Sequence, residues 1–174
     1  QTPAPGTVIN GTVTVMLTAT DVAGNTATCS FTATPVDNTA PTLSNCPMNP
    51  IVSVNSSCQG NLPDYRGGVT TSDNCPGMIS LSQSPLPGAL FTGSSVVTLT
   101  ATDASGNTST CTFTATAADN TPPSITCPGL QILPAQGNCQ ASLPNYTGLG
   151  MASDNCTSSP VISQSPVVGT SLSL

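Results

Sequence analysis

The sequence predicts an all-β protein built from antiparallel two-sheet sandwiches repeated in tandem. Three observations carry this expectation. Apolar residues alternate with threonine at a period of two, as in Val97, Leu99 and Ala101 against Thr98, Thr100 and Thr102. Short strand-like runs are separated by Gly/Pro turns, and no stretch has helical periodicity. The same motifs return after 81–82 positions: Cys29 to Cys111 and Asp37 to Asp119 are shifts of 82, and Cys46 to Cys127, Cys58 to Cys139 and Cys75 to Cys156 are shifts of 81. That period is too long for a solenoid unit and suits one small sandwich.

The clearest element is the hairpin from Val97 to Ala117. Asp103-Ala104-Ser105-Gly106-Asn107 is its turn, because Asp bonds the backbone two residues on and Gly takes positive φ without a Cβ clash. The return strand sets Cys111, Phe113, Ala115 and Ala117 on one face and threonines on the other. Asp119-Asn120-Thr121-Pro122-Pro123 stops it, since proline cannot donate to a ladder. Upstream, Ile51–Val54 reads as a strand, Asn55-Ser56-Ser57 as a turn, and Cys58–Tyr65 as a strand interrupted by Pro63. Residues 66–74 read as a loop, Met78–Ser82 as a strand, and Ala89–Phe91 as a short strand before the hairpin.

This register divides the chain into three parts. Residues 1–37 are the closing hairpin of a preceding repeat, 38–120 a complete repeat, and 121–174 the opening part of a following one. The expectation is a segment of a longer repetitive protein. The alternative is that the unfinished ends complete each other between neighbouring subunits, residues 1–35 supplying strands that 121–174 lack.

Composition narrows the function classes. The chain has 174 residues, a net charge of −6 and a single cation, Arg66, which argues against nucleic acid and anionic lipid as partners. The charge suits calcium or cationic partners, the plainer reading being solubility. No apolar run approaches the roughly 18 residues of a membrane helix, so membrane insertion is not expected. Eight Cys with no His and no CxxC pair argue against zinc and thioredoxin-like chemistry and for a secreted, disulfide-bonded protein. With no His, Glu or Lys, and nothing to build a pocket around Asp73 and Asp103, no catalytic residue is expected and the chain reads as a non-enzyme.

Together these motifs resemble the hyalin repeat (HYR) domain. The matching residues are the Cys-Pro openings Pro41–Pro47 and Pro123–Pro128, the Ser-Asp-Asn-Cys loops Ser72–Cys75 and Ser153–Cys156, and the Ala-Thr-Asp-x-x-Gly-Asn-x-x-x-Cys-x-Phe runs Ala19–Phe31 and Ala101–Phe113. The resemblance implies immunoglobulin-like sandwiches stapled by disulfides. The four-cysteine form is similar to tandem repeats of large secreted surface proteins and adhesins of the Bacteroidota. It implies an extracellular or cell-surface, adhesion-related, structural role without enzymatic activity.

The resemblance also implies disulfides. HYR domains that keep only two cysteines keep the counterparts of Cys46 and Cys111, and an immunoglobulin-like topology brings those two together. Cys58–Cys75 then follows for the remaining pair, with Cys139–Cys156 in the next repeat. Cys29 and Cys127 take partners outside this segment.

The candidate site is a set of Asp and Asn side chains expected to meet where one repeat follows another: Asp37, Asp73, Asn74, Asp103 and Asn107. Hard oxygen ligands of this kind suit Ca²⁺, the one candidate cofactor. The plainer expectation is that each caps its own turn. Asn10, Asn55, Asn107, Asn145 and Asn155 lie in N-x-S/T sequons, which matter only under eukaryotic-type glycosylation.

Three functions are open on this reading. The first is a force-bearing spacer in an extracellular filament or adhesin stalk, serving cell-surface adhesion or gliding. Its partners are the neighbouring repeats and other copies in a filament, and near-identity of successive repeats favours it. The second is a ligand-binding module for a polysaccharide or protein; at 3% aromatics the sequence offers no stacking platform. The third is an accessory domain of a secreted hydrolase.

Overall fold

The structure is a computed structural model that describes residues 1–173. It contains fourteen strands: β1 (Val13–Thr20), β2 (Thr26–Ala33), β3 (Thr42–Ser44), β4 (Ile51–Ser53), β5 (Gly60–Asn61), β6 (Thr70–Ser72), β7 (Ser80–Ser84), β8 (Leu90–Phe91), β9 (Ser94–Thr102), β10 (Thr108–Ala118), β11 (Ser124–Thr126), β12 (Gln140–Ser142), β13 (Met151–Ser153) and β14 (Ser171–Ser173). Two short 3-10 turns, Arg66–Gly68 and Thr147–Leu149, are the other regular elements among the described residues, and no helix is long and apolar enough to cross a membrane. The fold is all-β, as the alternation of the sequence requires.

The central sheet has the order β4-β10-β9-β7. β9 and β10 are the hairpin, and their inner face is the core: Val97, Leu99, Ala101, Phe113 and Ala115 are buried. β4 runs parallel to β10, pairing Ile51 with Thr116 and Ser53 with Ala118. Parallel neighbours need a long connection, which here is the rest of the repeat. Short antiparallel pairs complete the fold: β3 with β6, β5 with β8, β11 with β13 and β12 with β14. β5 can approach β8 because Gly60 lacks a side chain; a Cβ there would lie 2.7 Å from the Phe91 ring.

The strand read over Cys58–Tyr65 is reduced to β5 (Gly60–Asn61), and the one read over Met78–Ser82 lies at Ser80–Ser84; two further strands depart from the sequence reading. Residues 66–74, read as one loop, contain the 3-10 turn Arg66–Gly68 and then β6. β3 precedes Cys46 and pairs with β6, whereas the reading began its strands at Ile51. Both strands are three residues long, too short to show alternation.

By contacts the described residues form two compact units. One comprises Gln1–Ser44, Thr70–Ser82 and Thr100–Thr110; the other comprises Asn45–Val69, Gln83–Leu99 and the residues from Cys111 onward. In the first, β1 and β2 pair from Val13↔Ala33 to Thr20↔Thr26, the predicted upstream copy of the β9–β10 hairpin. In the second, Tyr65 and Phe113 stack edge to face with centroids 4.9 Å apart. Beside them Gln83, only 4% exposed, accepts from the Tyr65 backbone N–H at 2.9 Å and donates to the Pro63 carbonyl at 3.0 Å. Gln164 repeats this clamp on Tyr146 and Pro144 at 2.7 and 2.9 Å.

The second unit also holds the disulfides. Cys46 is bonded to Cys111, with Cα atoms 6.5 Å apart. The other bond corrects the expected pairing. Cys58 is joined to Cys156, Cα atoms 5.2 Å apart, in place of Cys58–Cys75 and Cys139–Cys156. Cys29, Cys75, Cys127 and Cys139 are free thiols. Local geometry explains the correction. The Asn55 carboxamide oxygen accepts the backbone N–H groups of Ser57 and Gln59, and Cys58 adopts φ +60°. That turn carries Cys58 to where the chain leaves β10: Val54 N–H donates to the Ala118 carbonyl at 3.1 Å, and Asn120 Nδ2 donates to Ser53 Oγ at 3.2 Å. The following repeat starts there, and its Asp154–Thr157 loop brings Cys156 within bonding distance.

Candidate functional site

The Asp/Asn set is built from turns in the first unit. At the tip of the β9–β10 hairpin, Asp103 Oδ1 accepts the backbone N–H groups of Ser105 and Asn107 at 2.9 and 2.8 Å. Asn107 Nδ2 donates to Asp103 Oδ2 at 2.8 Å and to the Asp37 carbonyl at 3.1 Å. The upstream hairpin repeats the motif: Asp21 accepts from Ala23, Asn25 and the Asn25 side chain at 2.9, 2.8 and 2.8 Å. The Asn25 side-chain bond leads the causes that hold the Asp21 carboxyl below its ordinary value. At Asp103 burial pushes upward, and the bonds from Asn107, Ser105 and Gly106 outweigh it, so that carboxyl also lies low.

Asp37 and Asp73 cap the two neighbouring loops. Asp37 Oδ1 accepts from Thr39 N–H at 3.0 Å, and Asp73 Oδ1 accepts from Cys75 N–H at 2.9 Å. Asn74 Nδ2 lies 3.2 Å from Cys75 Sγ. One ligand atom each from Asp37, Asp73 and Cys75 fall within 4.8 Å of one another, and Asp73 Oδ2 is buried with no hydrogen-bond partner. Burial, followed by the Asp37, Asp73 and Asp103 carboxylates, pushes the Cys75 thiol up and keeps it protonated.

The structure therefore brings Asp37, Asp73 and Cys75 together, with Asn107 reaching the Asp37 backbone. Asp103 and Asn107 are occupied with each other, and Asn74 turns to the Cys75 sulfur. A calcium ion takes 6–8 oxygen ligands. Here one buried carboxylate oxygen is free, the third member of the cluster is a thiol, and Asn107 presents its amide N–H groups. What the arrangement does well is fix turns.

A second copy of this arrangement lies in the other unit. Asp154 Oδ1 accepts from Cys156 and Thr157 N–H at 2.9 and 2.7 Å, and these bonds hold the Asp154 carboxyl low. Asn155 Nδ2 reaches Cys156 Sγ at 3.0 Å and both Asn55 O and Asp119 Oδ1 at 3.4 Å. Asp119, Asp154 and Cys156 are the positions equivalent to Asp37, Asp73 and Cys75, and there the sulfur is in the disulfide with Cys58. Sequence reasoning found the acids and missed that their loop carries a half-cystine for the adjoining repeat. The available signal was the shared Asp-Asn-Cys spacing.

The family model of the HYR domain matches residues 36–117. Hyalin of Strongylocentrotus purpuratus is 38% identical over 125 residues, 67% of this chain and 10% of that protein. Hyalin of Lytechinus variegatus is 34% identical over 137 residues, 72% of the chain and 24% of that protein. The serine-rich adhesin for platelets of Staphylococcus aureus is 32% identical over 117 residues, 59% of the chain and 5% of that protein. The aligned part is thus at most about a quarter of the length of these relatives. With its hairpin, its cysteines and its family match in register, the segment 36–117 belongs to the HYR domain family.

Proposed function

We propose that the chain is an extracellular, adhesion-related and non-enzymatic module whose HYR repeats act as a load-bearing spacer in a surface protein. The observation that carries this reading is the direct fastening of one repeat to the next through Cys58 and Cys156. A spacer transmits force through its joints, and a covalent joint holds where hydrogen bonds yield. The hyalins and the platelet adhesin among its relatives support the adhesion class, and the disulfides support an oxidising, extracytoplasmic location.

Electron microscopy of the parent protein tests the reading. Fibres whose length grows in proportion to the number of HYR repeats are expected; a compact particle would overturn it. Saturable binding of this chain to a surface polysaccharide, lost on loop substitution, would favour a ligand-binding module instead.

A further inference from the structure

We propose that Cys58–Cys156 is one link of a repeat-to-repeat ladder, in which the second cysteine of every repeat bonds the third cysteine of the repeat that follows. Within a repeat the order is Cys46, Cys58, Cys75 and Cys111. The first and fourth close the repeat on itself, as Cys46–Cys111 does. The second reaches forward. These two rules assign all eight cysteines. They place two bonds inside residues 1–174 and leave Cys29, Cys75, Cys127 and Cys139, which are the four free thiols. Cys29 is a fourth cysteine and Cys75 a third, so both pair with a preceding repeat. Cys127 is a first cysteine awaiting the fourth of its own repeat, and Cys139 is a second awaiting the third of the next.

The free and bonded members are presented alike, which is the independent support. Cys58 and Cys139 share a left-handed backbone, φ +60° and +58°. Cys58 N–H donates to the Asn55 carbonyl at 3.0 Å, and Cys139 N–H to the Gln136 carbonyl at 2.9 Å. Cys75 and Cys156 each donate N–H to the Asp two positions before, at 2.9 Å in both cases. Each has the preceding Asn amide against its sulfur, at 3.2 and 3.0 Å. Each repeat therefore builds a forward-facing and a backward-facing half-cystine whether or not the partner is present. The Asp37–Asp73–Cys75 cluster is then the receiving half of a joint.

Forming each link removes two protons and two electrons from two thiols. The acceptor is the disulfide of a thiol–disulfide oxidoreductase in the export compartment: one thiolate of the pair attacks it to form a mixed disulfide, the other thiolate then attacks the substrate sulfur of that mixed disulfide, and the oxidoreductase leaves as its dithiol. The consequence is mechanical. Successive ladder bonds are separated by the 17 positions from Cys139 to Cys156. A repeat that loses its fold under load then extends by at most about 60 Å, at roughly 3.5 Å per residue, instead of by its whole 81–82 positions.

The test is cysteine mapping of the oxidised chain. Free thiols are alkylated, and the chain is cleaved before each Asp without reduction. Peptide 37–63 is expected joined to both 103–118 and 154–174, with Cys29, Cys75, Cys127 and Cys139 alkylated. Recovery of 37–63 joined to 73–102, or of 119–153 joined to 154–174, overturns the ladder. Cys58→Ser supplies the second arm, because Cys46–Cys111 still closes the repeat. New alkylation at Cys156 with Cys75 unchanged supports the ladder; new alkylation at Cys75 contradicts it. Neither arm depends on what the module binds, so the spacer reading can fail while the ladder stands.

Discussion

Cys58 and Cys156 are 98 positions apart in sequence and 5.2 Å apart at Cα. Each sits in a tight turn organised by its own loop, so the bond joins two pre-formed pieces. In the loop-entropy model, closing about 100 residues stabilises by roughly 4–5 kcal/mol. That is comparable with the whole stability of a small domain.

Gln83 is the polar group whose loss the core should tolerate least. Gln83→Ala removes the partner of the Tyr65 N–H and of the Pro63 carbonyl. Two unpaired backbone groups cost about 1–3 kcal/mol each, so a loss of about 2–6 kcal/mol is expected in a denaturant titration. A change under 0.5 kcal/mol would show that water replaces the side chain.

Tyr65 predicts the opposite sign. Its hydroxyl is buried without a hydrogen-bond partner, while its ring stacks on Phe113. Tyr65→Phe keeps the stack and removes the unpaired oxygen, so a gain of about 1 kcal/mol is expected in the melting curve. Destabilisation would show that the hydroxyl is bonded in solution.

The pH profile should be flat through neutrality and fall at both ends. Asp21, Asp103 and Asp154 lie below the ordinary carboxyl value, and Arg66 bonds hold Asp64 at about 2. A depressed acid stabilises the fold above its unfolded pKa and loses that effect as pH falls through the folded one. Melting temperature is therefore expected constant from about pH 5 to 8, there being no His to titrate, and declining between roughly pH 4 and 2. Burial raises the Cys75 thiol and the Tyr65 hydroxyl, so stability also falls as pH rises past the ordinary thiol value of 9.0. A transition near pH 6.5 would contradict this assignment.

Calcium at millimolar concentration is expected to leave the melting temperature of the chain unchanged, because Asp103 is saturated by Asn107 and the third member of the cluster is a thiol. A rise that disappears in Asp73→Asn would instead assign the cluster to the ion.

The hairpin was legible because alternation, an Asp-x-x-Gly-Asn turn and a proline stop agree over Val97–Pro123. The buried core followed from it directly: Phe113 is 6% exposed. Cys58 was not legible in the same way. Its partner lies in the next repeat, and nothing in the sequence marks the left-handed turn at Cys58 that presents the sulfur to that repeat. Gln83 gave no sign either, since a lone Gln among serines reads as surface until Tyr65 and Pro63 close over it. The acids were found as a group, but their neighbour Cys75 decides what the group is for.

Stretching single molecules between the chain ends, oxidised and then reduced, tests the central claim most directly. The Cys58–Cys156 bond hides 98 positions, so reduction is expected to release about 340 Å of contour length, at roughly 3.5 Å per residue. A release of about 230 Å, the 65 positions hidden by Cys46–Cys111 alone, or of about 290 Å, which pairing within each repeat would give, contradicts the repeat-to-repeat staple.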